Sequence, residues 1–153
     1  MWGQSSLAIT ISALLSHCTG EFHGPGGIQA PYKWRLGGQG IELKQNAGAF
    51  SGSAYSSELP AHVLHPLELG VWWYYIFGVL WKTDGTGWYR QWVRRQGATN
   101  WTQVVEQLNL ATLQFPAGSP GSPYGLYPTL GIYRNKETAF TTTVYHDGWC
   151  WGD

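Results

Sequence analysis

The stretch Val71-Trp72-Trp73-Tyr74-Tyr75-Ile76-Phe77-Gly78-Val79-Leu80-Trp81 leaves few folds open to this chain. Ring and β-branched residues fill both of its alternating faces, which is the pattern of a strand covered on both sides. Thr83-Asp84-Gly85-Thr86-Gly87 supplies a turn. Residues 88–96 then alternate, with Trp88, Arg90, Trp92 and Arg94 on one face and Tyr89, Gln91, Val93 and Arg95 on the other. The two runs predict a long antiparallel hairpin whose first strand is central in a sandwich. The run at 71–81 is far short of the roughly 20 apolar residues that span a bilayer.

The rest of the chain fits the same architecture. Residues 7–15, 32–36, 41–45, 127–134 and 138–146 carry strand patterns, broken by Gly24-Pro25-Gly26-Gly27, by Gly37-Gly38-Gln39-Gly40 and by the loop at 116–125. The 32–36 and 41–45 pair reads as a glycine-turn hairpin. Residues 46–62, rich in Gly, Ser and Ala, read as a loop, and His62 and His65 as loop residues beside prolines. Residues 101–110 fit either a helical turn or an irregular strand. Asp147-Gly148 reads as a turn. Short strands with frequent turn signals predict an all-β chain, a jelly-roll β-sandwich of the concanavalin A-like lectin and glucanase type, forming one domain over 1–153. Such domains often run to roughly 200–250 residues, so the domain is expected to be incomplete at its N-terminus.

Composition narrows the function. Charged residues make up 12% of the chain and aromatics 16%, so disorder is excluded. A net charge of +0 gives no attraction to nucleic acid or to a membrane surface. Trp and Tyr in a polar setting suit sugars, whose apolar faces stack on rings, although core packing accounts for many rings in any sandwich. The apolar run 7–15 has no preceding basic residue and is read as a strand, not as a signal peptide. Cys18 and Cys150 fit no metal spacing, and their pairing depends on whether the two ends of the domain meet. No histidine–carboxylate set has metal-ligand spacing, and no cofactor is expected.

Alternation along 127–134 puts Tyr127, Thr129, Gly131 and Tyr133 on one face. Glu21 and His23 likewise share a face, with Phe22 pointing inward. Two strands then present a histidine, a carboxylate and two phenols to one groove. These groups suit β-elimination from a uronic acid polymer. That reaction needs the sugar carboxylate neutralised, a base for the proton on the adjacent carbon, and an acid for the departing oxygen. Arg90 and Arg94 are candidate ligands for sugar carboxylates, and the alternative for both is a solvated face.

Glu21-Phe22-His23 and Tyr127-Pro128-Thr129-Leu130-Gly131-Ile132-Tyr133 resemble, in the same order, the Gln-Ile-His and Tyr-Phe-Lys-Ala-Gly-Val-Tyr motifs of alginate lyase-like proteins. The glycine-rich segment after His23, the Trp-rich hairpin and Val144-Tyr145-His146-Asp147-Gly148 are similar to heparin lyase I-like sequences. Both groups, with the glucuronan lyase-like proteins, belong to the jelly-roll polysaccharide lyases. The resemblance implies His23 as neutraliser or base and Tyr127 as acid, and also as a candidate base. Glu21, Thr129, Tyr133, Arg90 and Arg94 are the expected substrate contacts. It further implies an extracellular, monomeric protein acting on an acidic polysaccharide. This chain departs from the family in carrying Glu21 for Gln and Thr129 for Lys, and an Arg-bearing strand would precede residue 7. These departures keep open a non-catalytic, lectin-like module. A glycoside hydrolase is disfavoured, because Glu58, Glu68 and Glu106 stand apart and form no carboxylate pair.

Overall fold

The computed structural model describes residues 2–11, 18–24, 28–52, 54–133 and 142–152. Eleven strands run through them in chain order: β1 (Trp2–Ile11), β2 (Cys18–His23), β3 (Tyr32–Gly37), β4 (Gly40–Phe50), β5 (Tyr55–His65), β6 (Trp72–Leu80), β7 (Gly87–Arg95), β8 (Thr102–Leu110), β9 (Gln114–Pro116), β10 (Tyr127–Tyr133) and β11 (Thr142–Gly152). They form two sheets, one ordered β11-β1-β6-β7-β8 and the other β10-β2-β3-β4-β5, with β9 added in parallel along β4. All other pairings are antiparallel, and the chain is an all-β, jelly-roll sandwich.

The core between the sheets comes from one face of each inner strand. On β3, Tyr32, Trp34 and Leu36 are buried while Lys33 and Arg35 are half-buried on the other side. Ile41 and Leu43 on β4, Tyr75, Phe77 and Val79 on β6, and Tyr89 and Val93 on β7 complete the interior. Tyr32 of one sheet stacks on Tyr89 of the other, with ring centroids 4.5 Å apart. Phe22 is 2% exposed and meets Trp34, Phe77 and Trp81 at 6.0, 5.7 and 5.1 Å between centroids. That wedge of rings fixes which way β2 faces, because its two neighbours in sequence must then point outward.

Turns follow the glycines. Leu36 pairs with Ile41 and Gly37 with Gly40, which leaves Gly38-Gln39 as a two-residue connection. Gly40 has φ +144, and a Cβ there would meet the His65 carbonyl oxygen at 2.2 Å. Both facts reserve the position for glycine.

Several segments depart from the sequence reading. Residues 46–62 are not a loop, since Asn46, Ala47 and Phe50 pair with Glu58, Ser57 and Tyr55. Small residues carry little periodic signal, but cross-strand pairing makes a strand of them. Pro60 falls where the β4–β5 register shifts, on a strand that has no further partner among the described residues, the setting that spares a ladder its missing donor. Residues 102–110 resolve as a strand, β8, with no helical turn. Gly148 is a bulge inside β11, because Ser5 pairs with Trp149 and Ser6 with Asp147. The β6 strand is central, between β1 and β7, yet full burial is confined to Tyr75, Phe77, Gly78 and Val79, and Trp72, Trp73, Tyr74 and Ile76 are partly exposed. The expected strand ends at 12–15 and 138–141 lie outside the described residues. Cys18 stands on β2 opposite Arg35 and Cys150 on β11 opposite Gln4, in different sheets.

Candidate functional site

With Phe22 held in the core, Glu21 and His23 emerge on the outer face of the β10-β2-β3-β4-β5 sheet. The neighbouring strand completes the arrangement: Tyr127 is the register partner of His23, Pro128 of Phe22 and Thr129 of Glu21. Cross-strand partners share a face, so the alternation read from sequence places Tyr127 and Thr129 beside His23 and Glu21. The register shifts between Leu130 and Tyr133, where the Tyr133 backbone pairs with Cys18. The Tyr133 side chain lies outside the described residues.

The His23 ring has a different group at each nitrogen. Its Nδ1 lies against the Gly24 carbonyl oxygen and 3.2 Å from the Tyr127 hydroxyl. A carbonyl oxygen only accepts, so Nδ1 carries a hydrogen, and the neutral ring keeps its lone pair on Nε2. Nε2 faces the Glu21 carboxylate at 3.8 Å. The His23 and Tyr127 rings stack at 5.3 Å with planes 23° apart. Tyr127 is 53% exposed, so its hydroxyl is open to a molecule arriving from solvent. Thr129 donates its hydroxyl to the Glu21 backbone carbonyl at 3.3 Å and reinforces the strand pair.

Arg90 and Arg94 are not part of this arrangement. Both stand on β7, in the opposite sheet. Arg90 pairs with Glu106 at 2.9 Å and lies over Trp88 at 5.4 Å. Arg94 is held between Tyr74 and Trp101, at 4.8 and 4.9 Å from their ring centres. Alternation identified the face correctly but carries no information about which sheet owns it.

Three cations that sequence reasoning passed over do share the face with His23. Lys33 is the register partner of Glu21, and Lys44 is the partner of Lys33. Arg35 lies two residues beyond Lys33 and is paired with Glu42 at 3.1 Å, while Lys44 is paired with Glu58 at 3.1 Å. The signal was the alternation Tyr32-Lys33-Trp34-Arg35-Leu36, in which every second residue is basic.

His65, expected in a loop, is a core residue at 6% exposure. Its Nδ1 donates to the Pro66 carbonyl at 2.7 Å, its Nε2 accepts from the Tyr75 hydroxyl at 2.5 Å, and its ring stacks on Trp73 at 3.9 Å. Burial pushes its pKa down to about 4. Burial also raises the Tyr75 hydroxyl, so the pair stays neutral at ordinary pH. Among the described residues no three His, Cys, Asp or Glu side chains group as a metal site, and no helix is long and apolar enough to cross a membrane.

No protein-family model matches the sequence, and no curated protein matches it. The fold is similar to the crystal structure of an endo-β-1,4-glucuronan lyase from the fungus Trichoderma reesei, with a TM-score of 0.62 and 14% sequence identity. The match covers 97% of this chain and 66% of the enzyme, so the chain spans just under two thirds of that protein's length. At this identity the likeness establishes a fold shared with a polysaccharide lyase.

Proposed function

We propose that this chain acts on a uronic acid-containing polysaccharide by β-elimination, with His23 as base and Tyr127 as acid. The observation that carries the reading is the cross-strand pair itself, a histidine whose Nε2 lies beside Glu21 and an exposed tyrosine whose hydroxyl is 3.2 Å from the other ring nitrogen. His23 Nε2 takes the proton from the carbon that bears the sugar carboxylate. The electron pair forms the new carbon–carbon double bond, and the glycosidic oxygen leaves with the electrons of its bond. The Tyr127 hydroxyl gives that oxygen a proton. The resulting phenolate faces the Nδ1–H of an imidazolium whose Nε2 faces Glu21, so each charge formed meets an opposite one. Glu21 here stabilises the imidazolium once Nε2 has taken the proton, which accounts for a carboxylate where the similar lyases carry an amide. Solvent then returns the proton from His23 to Tyr127. A polymer of this kind is met outside the cell, and an extracellular, monomeric protein of one domain is part of the proposal.

The second reading is a lectin-like module on the same face. It is favoured by Thr129, whose hydroxyl is turned to the Glu21 backbone where the similar lyases place a Lys. The two readings separate in one assay. Ultraviolet absorbance of unsaturated uronate ends is followed on alginate, glucuronan, heparin and hyaluronan, with His23→Ala beside the unaltered chain. Product that His23→Ala reduces by about 10³-fold or more identifies the lyase, within the range for removal of a general base. Binding without product identifies the lectin-like module. Neither binding nor product rejects both.

A further inference from the structure

We propose that Lys33 is the cation that receives the uronate carboxylate at this site, an inference that rests on the β-elimination reading. Two observations converge on it. Lys33 alternates outward on β3 between the buried Tyr32 and Trp34, so the core fixes its face. It is the register partner of Glu21, one strand from the His23–Tyr127 pair, and neighbouring strands lie about 4.8 Å apart. The other two cations of this face, Arg35 and Lys44, both stand farther from His23 in the register.

The charge balance of the site requires such a group. Glu21 lies 3.8 Å from His23, where the proton is to be taken. A uronate arriving there would bring a second negative charge beside the first, which disfavours binding and makes its carbon-bound proton harder to remove. An ammonium opposite Glu21 offsets both effects, and it is flexible enough to move from one carboxylate to the other. The carboxylate is attached to the carbon that loses its proton, so base and cation must reach adjacent atoms. Adjacent strands of one sheet face provide that spacing.

The test compares the full chain with Lys33→Gln, Lys33→Arg and, as a control, Lys44→Gln. Two polymers are used, a polyglucuronate and its methyl ester, in which the carboxyl group is uncharged. Lys33→Gln is expected to lower kcat/KM on the free acid by about 100-fold and on the ester by about threefold or less, with Lys33→Arg between them. Lys44→Gln is expected to stay within about threefold on both, as befits an exposed ion pair. Equal losses on acid and ester, or no loss on either, overturn the proposal, and thermal melts identify any variant that fails to fold. If the unaltered chain cleaves neither polymer, the elimination reading fails and affinity electrophoresis decides the rest. Retardation by the free acid that Lys33→Gln weakens about tenfold, with the ester unaffected, sustains Lys33 as the carboxylate ligand. Retardation that is absent, or indifferent to Lys33, overturns it.

Discussion

Two histidines of this chain each have a tyrosine hydroxyl on one ring nitrogen and a backbone carbonyl at Nδ1. His23 meets Tyr127 and Gly24 on an outer sheet face. His65 meets Tyr75 and Pro66 between the sheets. The groups are the same, and what they can do is opposite. At His65 the hydroxyl and the carbonyl occupy both nitrogens, and Trp73 covers the ring. At His23 the hydroxyl and the carbonyl share Nδ1, so Nε2 is left facing Glu21 and solvent, with the side chain 33% exposed. A histidine–tyrosine contact is therefore neither a catalytic signal nor a structural one. Which nitrogen the tyrosine occupies, and what lies on the far side of the ring, decide between them.

The comparison breaks first at the tyrosines. Tyr127→Phe leaves the His23 ring stacked but removes the acid, and we expect kcat on a polyuronate to fall by about 10²–10⁴-fold with an unchanged melting temperature. If activity survives within a few fold, the outer pair is no more chemical than the inner one. His65→Ala should show the reverse. It removes a buried ring, opens a cavity beside Trp73 and leaves the Tyr75 hydroxyl without its acceptor, for an expected loss of about 3 kcal/mol in urea unfolding. The same urea experiment on His23→Ala should give about 1 kcal/mol or less, as for a half-buried side chain on a sheet face.

Acid sharpens the contrast by a smaller amount. His65 has a folded-state pKa lowered from 6.5 to about 4, so the unfolded chain binds its proton first as pH falls. Its neutral, buried form contributes full stability above pH 6.5. That contribution is lost progressively between about pH 6.5 and 4, up to roughly 3 kcal/mol in all. Unfolding curves at pH 7.5, 6 and 4.5 should show the decline in the unaltered chain and little of it in His65→Gln. Glu68 and Asp84, held low by hydrogen bonds from Arg95 and Thr86, add to the loss only from about their ordinary values of 4.5 and 3.8 downward. An equal decline in both proteins would remove His65 from the account.

The outer pair was legible in the sequence because it depends on local alternation. Phe22 between Glu21 and His23, and the odd-numbered set beginning at Tyr127, each place a polar face without knowledge of the rest of the chain. What alternation omits is partnership. His65 reads as a loop residue beside Pro66 because its burial is supplied by β6, a different element. The β5 strand disappears into Ser, Ala and Pro because its order is conferred by β4. Arg90 and Arg94 stand on the opposite sheet from His23, while Lys33 shares its sheet and has no motif to draw attention to it. The hairpins at 32–45 and 72–95 were legible for the opposite reason, since their partners are also their neighbours in sequence.

His23 and Tyr127 touch across a sequence separation of 104 residues. The hairpins of this sandwich are local and can form early, but β10 joins β2 only after the chain between them has been arranged. Closing a loop of that length costs more entropy than any hairpin and rewards it late, and folds rich in such pairings are slow. The site therefore exists only once that long loop is closed, and a chain that stops short of Tyr127 lacks it. Appearance of the Tyr127–His23 contact would mark the completed fold, whatever polymer the finished surface meets.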